Sequence, residues 1–309
     1  MNDFQEYFVR EFVEEYRIGH MSRRDMMQRV LYITGGVAST AALLSALGVP
    51  SAAFAQPEVL ASLPLGASPL SVPPDDPAVS YQWVSFPNPN DGATIMAYEA
   101  RPADASGPLP VMLVCHRNQG VEPHIQDVAR RWAKLGYIAA AVDLLSREGG
   151  TTGVADKAQI PSLLSNTDPN RHVSDFQAAA AYYGGVAEAD ASRLAMNGFC
   201  FGGGITWRTA EAIPEMKAAA PFYGAPPPLD QVPKIGAAML GVYSADPNDF
   251  ANNNRDGLDA ALSQAGVTHQ MNVYPGTRHD FYNDTGQAYN EAQAQAAWND
   301  AVAWMQQFV

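Results

Sequence analysis

The alternation of apolar and polar residues changes character near residue 110. Beyond that point, short apolar runs alternate with stretches whose apolar residues recur at helical spacing. The predicted strands are 111–115, 137–142, 194–197, 216–223, 237–243 and 269–274, and the predicted helices are 123–135, 172–183, 201–210, 252–265 and 287–308. Because strands separated by helices join through right-handed crossovers, the pattern predicts a mostly parallel sheet with helices on both faces.

Two further β-like runs come before this alternation. Residues 81–86 and 94–100 are separated by Pro87-Asn-Pro-Asn-Asp-Gly92, a sequence typical of a turn. We therefore predict an antiparallel hairpin ahead of the parallel strands. The runs together give about eight strands, which suits an α/β-hydrolase domain over residues 80–309.

The start of the chain differs from the rest. Residues 1–20 are charged and amphipathic, and we assign them no catalytic role. They are followed by the pair Arg23-Arg24, a moderately apolar run over residues 30–49 and the small-residue site Ala53-Phe-Ala55. Residues 1–55 thus resemble a twin-arginine export signal, with cleavage expected after Ala55.

Two alternatives remain for this region. About 20 apolar residues can span a bilayer, so an uncleaved membrane anchor is one. Translation starting at Met21 is the other, because residues 1–20 are an unusual prefix to such a signal. Residues 56–79 are rich in Pro, Ser and Ala and predict a tether without a fold of its own. We expect a periplasmic or secreted protein that meets the export machinery and keeps no stable membrane partner after cleavage.

Charge and cysteine content exclude several classes of protein. The net charge is −13, which argues against nucleic acid or an anionic membrane as a partner. Cys115 and Cys200 are the two cysteines, so the chain is no disulfide scaffold, although a single bridge between them is an alternative.

One of these cysteines lies in an unusual setting. Gly198 and Gly202 flank Cys200 at the spacing of a Gly-x-nucleophile-x-Gly elbow, in which a strained turn lifts the nucleophile above the sheet. At the N-terminus of the following helix, the helix dipole favours a thiolate over a thiol. The alternative is a buried cysteine in a glycine-rich turn.

A thiol nucleophile requires a base within hydrogen-bond reach. Two histidines follow Cys200 along the chain, His269 and His279. His269 begins an apolar strand, whereas His279 lies in a loop just past the carboxyl end of that strand, where catalytic groups gather. We therefore predict that His279 is the base.

An acid is needed to orient the imidazole. The loop after strand 237–243 reads Ser244-Ala-Asp-Pro-Asn-Asp249. Asp246 comes first past the strand end and is our choice, with Asp249 as the alternative. By itself, this loop is equally typical of a turn or a helix cap.

Four segments agree in order with one family pattern. They are His116-Arg-Asn-Gln-Gly-Val-Glu-Pro-His-Ile-Gln-Asp-Val-Ala-Arg130, Val142-Asp-Leu-Leu-Ser-Arg147, Gly198-Phe-Cys-Phe-Gly202 and Tyr274-Pro-Gly-Thr-Arg-His279. From about residue 81 to the C-terminus, the chain resembles the dienelactone hydrolase family. The resemblance implies a triad of Cys200, Asp246 and His279.

The resemblance also implies further site residues. It places an oxyanion hole at the backbone N–H groups of Phe201 and Asn118, and it matches Arg147 to an arginine that contacts a substrate carboxylate. We add Arg117 and Tyr223 as candidate substrate-binding residues. The alternative for Arg147 is a solvated loop side chain.

Two positions depart from the family pattern. Arg117 stands where the family commonly has a glutamate that holds and releases the resting thiol. A cation near Cys200 would lower the thiol pKa, so a standing thiolate is our hypothesis. Asn283 replaces an arginine four residues past His279, which makes a dianionic lactone a less suitable substrate.

These observations predict an exported hydrolase that opens a small-molecule carboxylic ester or lactone through a thioester. We expect no metal and no cofactor, since the sequence has neither a metal-ligand cluster nor a phosphate loop. The alternatives are acyl transfer or amide hydrolysis by the same triad, and a non-catalytic binding protein that keeps the elbow.

Overall fold

A computed structural model describes residues 1–49 and 68–309. Eight strands in these residues form one sheet. They are β1 (Val79–Pro87), β2 (Thr94–Pro102), β3 (Leu109–Cys115), β4 (Ile138–Asp143), β5 (Ala189–Phe199), β6 (Ala218–Phe222), β7 (Ala238–Ser244) and β8 (His269–Tyr274). Their order across the sheet is β1-β2-β4-β3-β5-β6-β7-β8.

The pairing matches the predicted topology. β1 and β2 form an antiparallel hairpin, β2 pairs antiparallel with β4, and all the pairs from β4 to β8 are parallel. The predicted hairpin, the mostly parallel sheet and the α/β-hydrolase fold class are therefore confirmed. Each predicted strand overlaps an observed one, and β5 extends five residues further toward its N-terminus because residues 189–193 continue the pairing beside β3.

Helices fill the connections between strands. The described residues contain α1 (Asp3–Arg17), α2 (Arg23–Thr34), α3 (Val37–Ala46), α4 (Pro123–Lys134), α5 (Gly150–Gly153), α6 (Ile160–Ser165), α7 (Pro169–Tyr183), α8 (Phe201–Ala212), α9 (Arg255–Ala265) and α10 (Glu291–Phe308). The crossover from β3 to β4 leads toward the β1 edge of the sheet, and the crossovers from β5 onward lead toward the β8 edge. Right-handed connections therefore place α4 opposite α8 and α9, and the direction reverses between β3 and β5.

The N-terminal helices pack on this body. Phe4, Phe8 and Phe12 form an apolar stripe on α1 and are buried. A break at Gly35, whose φ is +70°, separates α2 from α3. Within the described residues no single helix is long and apolar enough to span a bilayer, while α2 and α3 pass that test jointly but are bent by 115°.

The described end of the predicted tether is attached to α4. The backbone N–H of Val72 donates to Asp127 Oδ1 at 2.7 Å, and Arg130 Nε donates to the Val72 carbonyl at 2.7 Å. Residues 68–78 are therefore held against the body. The predicted cleavage site at Ala53-Phe-Ala55 lies outside the described residues.

Candidate active site

Cys200 lies on a strained turn between β5 and α8. Its φ and ψ are 56° and −121°, a conformation that costs free energy in a residue with a Cβ. A Cβ on Gly198 would lie 2.2 Å from Thr206 Oγ1, and one on Gly202 would lie 2.5 Å from the His116 carbonyl oxygen. No side chain fits at either glycine. The spacing predicted from sequence therefore has a steric cause, since the turn closes only if both flanking residues are glycine.

The base predicted from sequence lies beside this thiol. A ring nitrogen of His279 and the Cys200 sulfur lie within 4.8 Å of each other. His279 Nδ1 lies 3.0 Å from Asp249 Oδ1, and Asp249 also accepts a 2.5 Å hydrogen bond from the Ser244 hydroxyl. Burial of the ring lowers the pKa of His279, but the carboxylate of Asp249 outweighs burial, so that the pKa of His279 lies above its ordinary value. Sulfur, imidazole and carboxylate thus form a connected series.

The acid in this series is Asp249, the alternative, rather than Asp246. Asp246 Oδ1 accepts a hydrogen bond from the Asn248 backbone N–H at 2.9 Å, so this side chain closes a turn at the end of β7. The turn carries the chain outward and back, which leaves Asp249 with its side chain fully buried against His279. In this loop, the first acidic residue after the strand is therefore not the one that contacts the histidine.

The two predicted oxyanion donors lie at the ends of adjacent strands. Phe201 is the first residue of α8, so its N–H belongs to the turn whose amides have no intrahelical acceptor. Asn118 follows β3, the neighbour of β5, and is 3% exposed. The Asn118 side-chain amide donates to Glu11 Oε1 at 2.8 Å. A carboxyl group therefore already lies beside this residue.

Arg117 and Tyr223 lie close to the base. Arg117 forms ion pairs with Glu122 and Asp280, each at 3.2 Å. The Tyr223 hydroxyl donates to Asp280 Oδ1 at 3.3 Å, and its ring centroid lies 4.9 Å from that of His279. Both predicted residues are therefore near enough to shape a substrate site.

Arg147 is engaged elsewhere. Its guanidinium donates to both carboxylate oxygens of Asp175, at 2.7 and 2.8 Å, and pairs with Asp91 at 2.7 Å. Asp175 belongs to α7 and its side chain is fully buried, so this arginine joins the β1–β2 turn to a helix. The family resemblance implied that Arg147 contacts a substrate carboxylate, but in the structure Arg147 contacts the carboxylates of Asp175 and Asp91.

Sequence analysis missed two residues of α1 that contact the thiol. The Tyr7 hydroxyl lies 3.3 Å from the Cys200 sulfur and 3.4 Å from His279 Nε2. The thiol donates toward the Glu11 carboxyl group, whose oxygens lie 3.6 and 3.8 Å from the sulfur. A signal was available, because Glu11 falls on the apolar face of an amphipathic helix, where an acidic residue is out of place.

These contacts change the chemistry of the thiol. Burial and the neighbouring Glu11 raise the pKa of Cys200 to about 11, although His279 and Tyr7 act in the opposite direction. Burial and then Glu15 raise the pKa of Glu11 to about 8. The direction of the shift in the thiol pKa is opposite to the standing thiolate promoted by Arg117 that we hypothesised, and the Arg117 guanidinium is paired with Glu122 and Asp280.

The same atoms are the candidate ligands for a metal ion. One oxygen of Glu11, the Cys200 sulfur and a ring nitrogen of His279 lie within 4.8 Å of one another. The Tyr7 hydroxyl, however, is within hydrogen-bond distance of both the sulfur and the ring. An ion could use this set only if the Tyr7 hydroxyl moved away while Glu11, on the same helix, stayed in place.

A cavity of about 320 Å³ lies between the N-terminal helices and the body. Its lining includes Glu11 and Glu15 from α1, and Arg117, His279 and Asp280 from the body. In the described residues Cys200 is not part of that lining, and it is 1% exposed. Helix α1 therefore lies between the cavity and the sulfur.

An α/β-hydrolase sheet with a nucleophile elbow and a histidine–carboxylate pair defines the class of this protein as an α/β-hydrolase. The model of the dienelactone hydrolase family matches residues 95–309. The chain therefore belongs to the dienelactone hydrolase family and is a hydrolase of that kind.

Relatives agree with this assignment. The chain is 36% identical to a candidate carboxymethylenebutenolidase of Methylorubrum extorquens over 71% of its length and 79% of that protein's. It is 34% identical to a candidate carboxymethylenebutenolidase of Escherichia coli K12 over 78% of its length and 92% of that protein's. A crystal structure of a candidate dienelactone hydrolase from Klebsiella pneumoniae is 32% identical, with a TM-score of 0.67 over 74% of this chain and 100% of that one.

Proposed function

We propose that this protein hydrolyses a carboxylic ester or lactone with Cys200 as the nucleophile. The observation that carries the proposal is the position of Cys200 on a strained elbow beside His279, with Asp249 bonded to the far side of the ring. Thiol, imidazole and carboxylate in this order are the components of nucleophilic acyl transfer.

The proposed reaction proceeds through a thioester. His279 accepts the thiol proton as the sulfur attacks the carbonyl carbon, and the carbonyl oxygen gains a negative charge that the backbone N–H groups of Phe201 and Asn118 stabilise. The imidazolium then donates its proton to the leaving oxygen. Water attacks the thioester while His279 accepts a proton from it, which releases the acid and restores the thiol.

The carboxylate behind the ring has a defined role in this scheme. Asp249 fixes the tautomer that presents Nε2 toward the thiol, and it stabilises the imidazolium formed in both steps. Although burial opposes it, the ion pair with His279 holds the pKa of Asp249 below its usual range. Asp249 therefore remains an acceptor throughout turnover.

The test compares ester hydrolysis by the protein and by its Cys200→Ala variant. Short-chain p-nitrophenyl esters and a simple butenolide report turnover, and mass spectrometry at low pH reports an acyl adduct on the peptide that contains Cys200. A matched variant, Cys115→Ala, removes the other cysteine, which is buried and lies at the end of β3. Equal rates with and without the Cys200→Ala change, both in the full chain and after proteolytic release of residues 1–55, would instead support a binding protein. Adding an alcohol acceptor distinguishes acyl transfer from hydrolysis by the products formed.

We also propose that the protein is exported, on the basis of the Arg23-Arg24 pair, the apolar run and the Ala53-Phe-Ala55 site. Replacing Arg23 and Arg24 by lysine should retain the protein in the cytoplasm if the twin-arginine signal is real. Fractionation of cells and the N-terminal sequence of the exported form measure this. Equal export of both forms would contradict the proposal.

A further inference from the structure

Helix α1 occupies the position that a substrate must enter. Tyr7 and Phe8 are nearly inaccessible to solvent, at 4% and 0%. The Phe4 ring lies 4.9 Å from that of Phe201, next to the nucleophile, and the Tyr7 ring lies 4.1 Å from that of Phe250, next to Asp249. The helix is therefore packed on both sides of the thiol.

The group that α1 presents to the sulfur resembles a reaction product. Hydrolysis of an ester at Cys200 leaves a carboxylic acid beside the sulfur, with an oxygen near the oxyanion donors. Glu11 supplies such a carboxyl group, with oxygens 3.6 and 3.8 Å from the sulfur and one of them bonded to Asn118 at 2.8 Å. Burial favours the uncharged form of this acid, which can lie beside a neutral thiol without an uncompensated charge.

The hydroxyl of Tyr7 is the second group of α1 that occupies the site. It lies 3.3 Å from the sulfur and 3.4 Å from His279 Nε2, where the leaving oxygen of a substrate has to receive its proton. With both side chains in place, neither the sulfur nor the proton donor is free to meet a carbonyl group.

The α/β body is complete without these helices. The family model begins at residue 95, and the whole Klebsiella structure corresponds to 74% of this chain. Helix α1 is joined to the body through residues 50–67 and is held to it by non-covalent contacts. It can therefore leave the site without disrupting the sheet.

We propose that α1 is a built-in inhibitor of the enzyme, in which Glu11 takes the place of the product acid and the Tyr7 hydroxyl occupies the space beside Cys200 and His279. This inference rests on the proposed function of the site. Because α1 precedes the Ala53-Phe-Ala55 site, cleavage there would remove the inhibitor together with the signal. The uncleaved protein is inactive, and the released body is the active enzyme.

Two forms of the full chain test this. Phe8→Asp places a charge in the buried interface and should undock α1, whereas Arg10→Asp introduces the same residue at an exposed position of the same helix. A second form carries a site for a specific protease between residues 56 and 67, is cut after folding and is assayed on dilution. This form keeps the test valid if Phe8→Asp does not fold.

Two rates are measured in each form: alkylation of Cys200 by iodoacetamide, read by peptide mass, and hydrolysis of p-nitrophenyl acetate. We expect alkylation to rise about 100-fold and hydrolysis about tenfold or more in Phe8→Asp and in the cut, diluted protein, since both open the site. Arg10→Asp should behave as the unaltered chain.

Other outcomes are distinguishable. If the unaltered chain is alkylated and hydrolyses ester as fast as the opened forms, the inhibitor does not exist, while the proposed function stands. If opening accelerates alkylation but no form hydrolyses an ester faster than Cys200→Ala does, α1 does cover the thiol and the proposed function is wrong.

Discussion

The α/β body and the N-terminal helices meet at the same sulfur and act on it in opposite ways. The body lifts Cys200 onto a strained turn and brings His279 and Asp249 to it, the arrangement that the proposed mechanism requires. Helix α1 covers that thiol with the Tyr7 phenol and the Glu11 carboxyl group; burial and Glu11 raise the pKa of the thiol, while Tyr7 acts in the opposite direction. The comparison teaches that the proposed triad and the access of a substrate to it are determined by different parts of the chain.

The largest effect on activity is expected at Cys200, the proposed nucleophile. With α1 released, Cys200→Ala should reduce ester hydrolysis by about 1,000-fold or more, because no other group can form the acyl intermediate. Steady-state hydrolysis by the cut and diluted protein measures this. The control Cys115→Ala should lose little, and a similar loss there would show that the effect comes from damage to the sheet.

The choice of acid gives the next largest effect. Asp249→Asn should lower kcat by about 100-fold or more, because the amide can no longer stabilise the imidazolium or hold its tautomer. Asp246→Asn is the matched change in the same loop and should alter kcat by less than about threefold, since Asp246 only closes a turn. The opposite ranking would return the acid role to Asp246.

How far the sequence could predict this molecule depends on how local each feature is. Strand and helix periodicity, and the glycines that Cys200 requires on either side, depend on neighbours along the chain, and these predictions were confirmed. Asp246 was chosen as the acid because it comes first past the end of the strand. The path of this short loop, however, depends on the contacts of Asp249 with His279 and Ser244, which form only in the folded protein. The contacts between α1 and Cys200 join segments almost 200 residues apart, so the acidic Glu11 on an apolar helix face could indicate a buried partner but not which partner it is.

The pH dependence separates the two regions again. Burial raises the pKa of Glu11 to about 8; Glu15 and Asp280 act in the same direction, and His279 and Arg117 oppose it. Docked α1 therefore holds a proton that released α1 loses above its ordinary pKa, so docking is strongest at low pH. The ratio of docked to released α1 should fall by up to about tenfold per pH unit as pH rises from the ordinary pKa of a glutamate toward 8.

Alkylation of Cys200 in the unaltered chain reports this linkage. The thiolate fraction of a released thiol rises about tenfold per pH unit on its own, so release by Glu11 should make the observed rate steeper than that between pH 5 and 8. Glu11→Gln removes this titrating group and should make the dependence shallower, although Glu15, whose pKa burial also raises, continues to contribute. Identical slopes in the two proteins would mean that Glu11 does not control docking.

The smallest effect is expected at Arg147, a residue of the α/β body that is paired with Asp91 and Asp175 and does not contact α1 in the described ion pairs. Its guanidinium is occupied by Asp175 and Asp91, so Arg147→Ala should change kcat/KM of the released enzyme by less than about threefold. It should nevertheless lower Tm by several degrees, because the carboxylate of Asp175 would remain buried without its cation. Arg147→Lys keeps one charge but not the two-oxygen contact and should lie between. A large rise in KM with an unchanged Tm would instead place this arginine in contact with substrate, as the family resemblance implied.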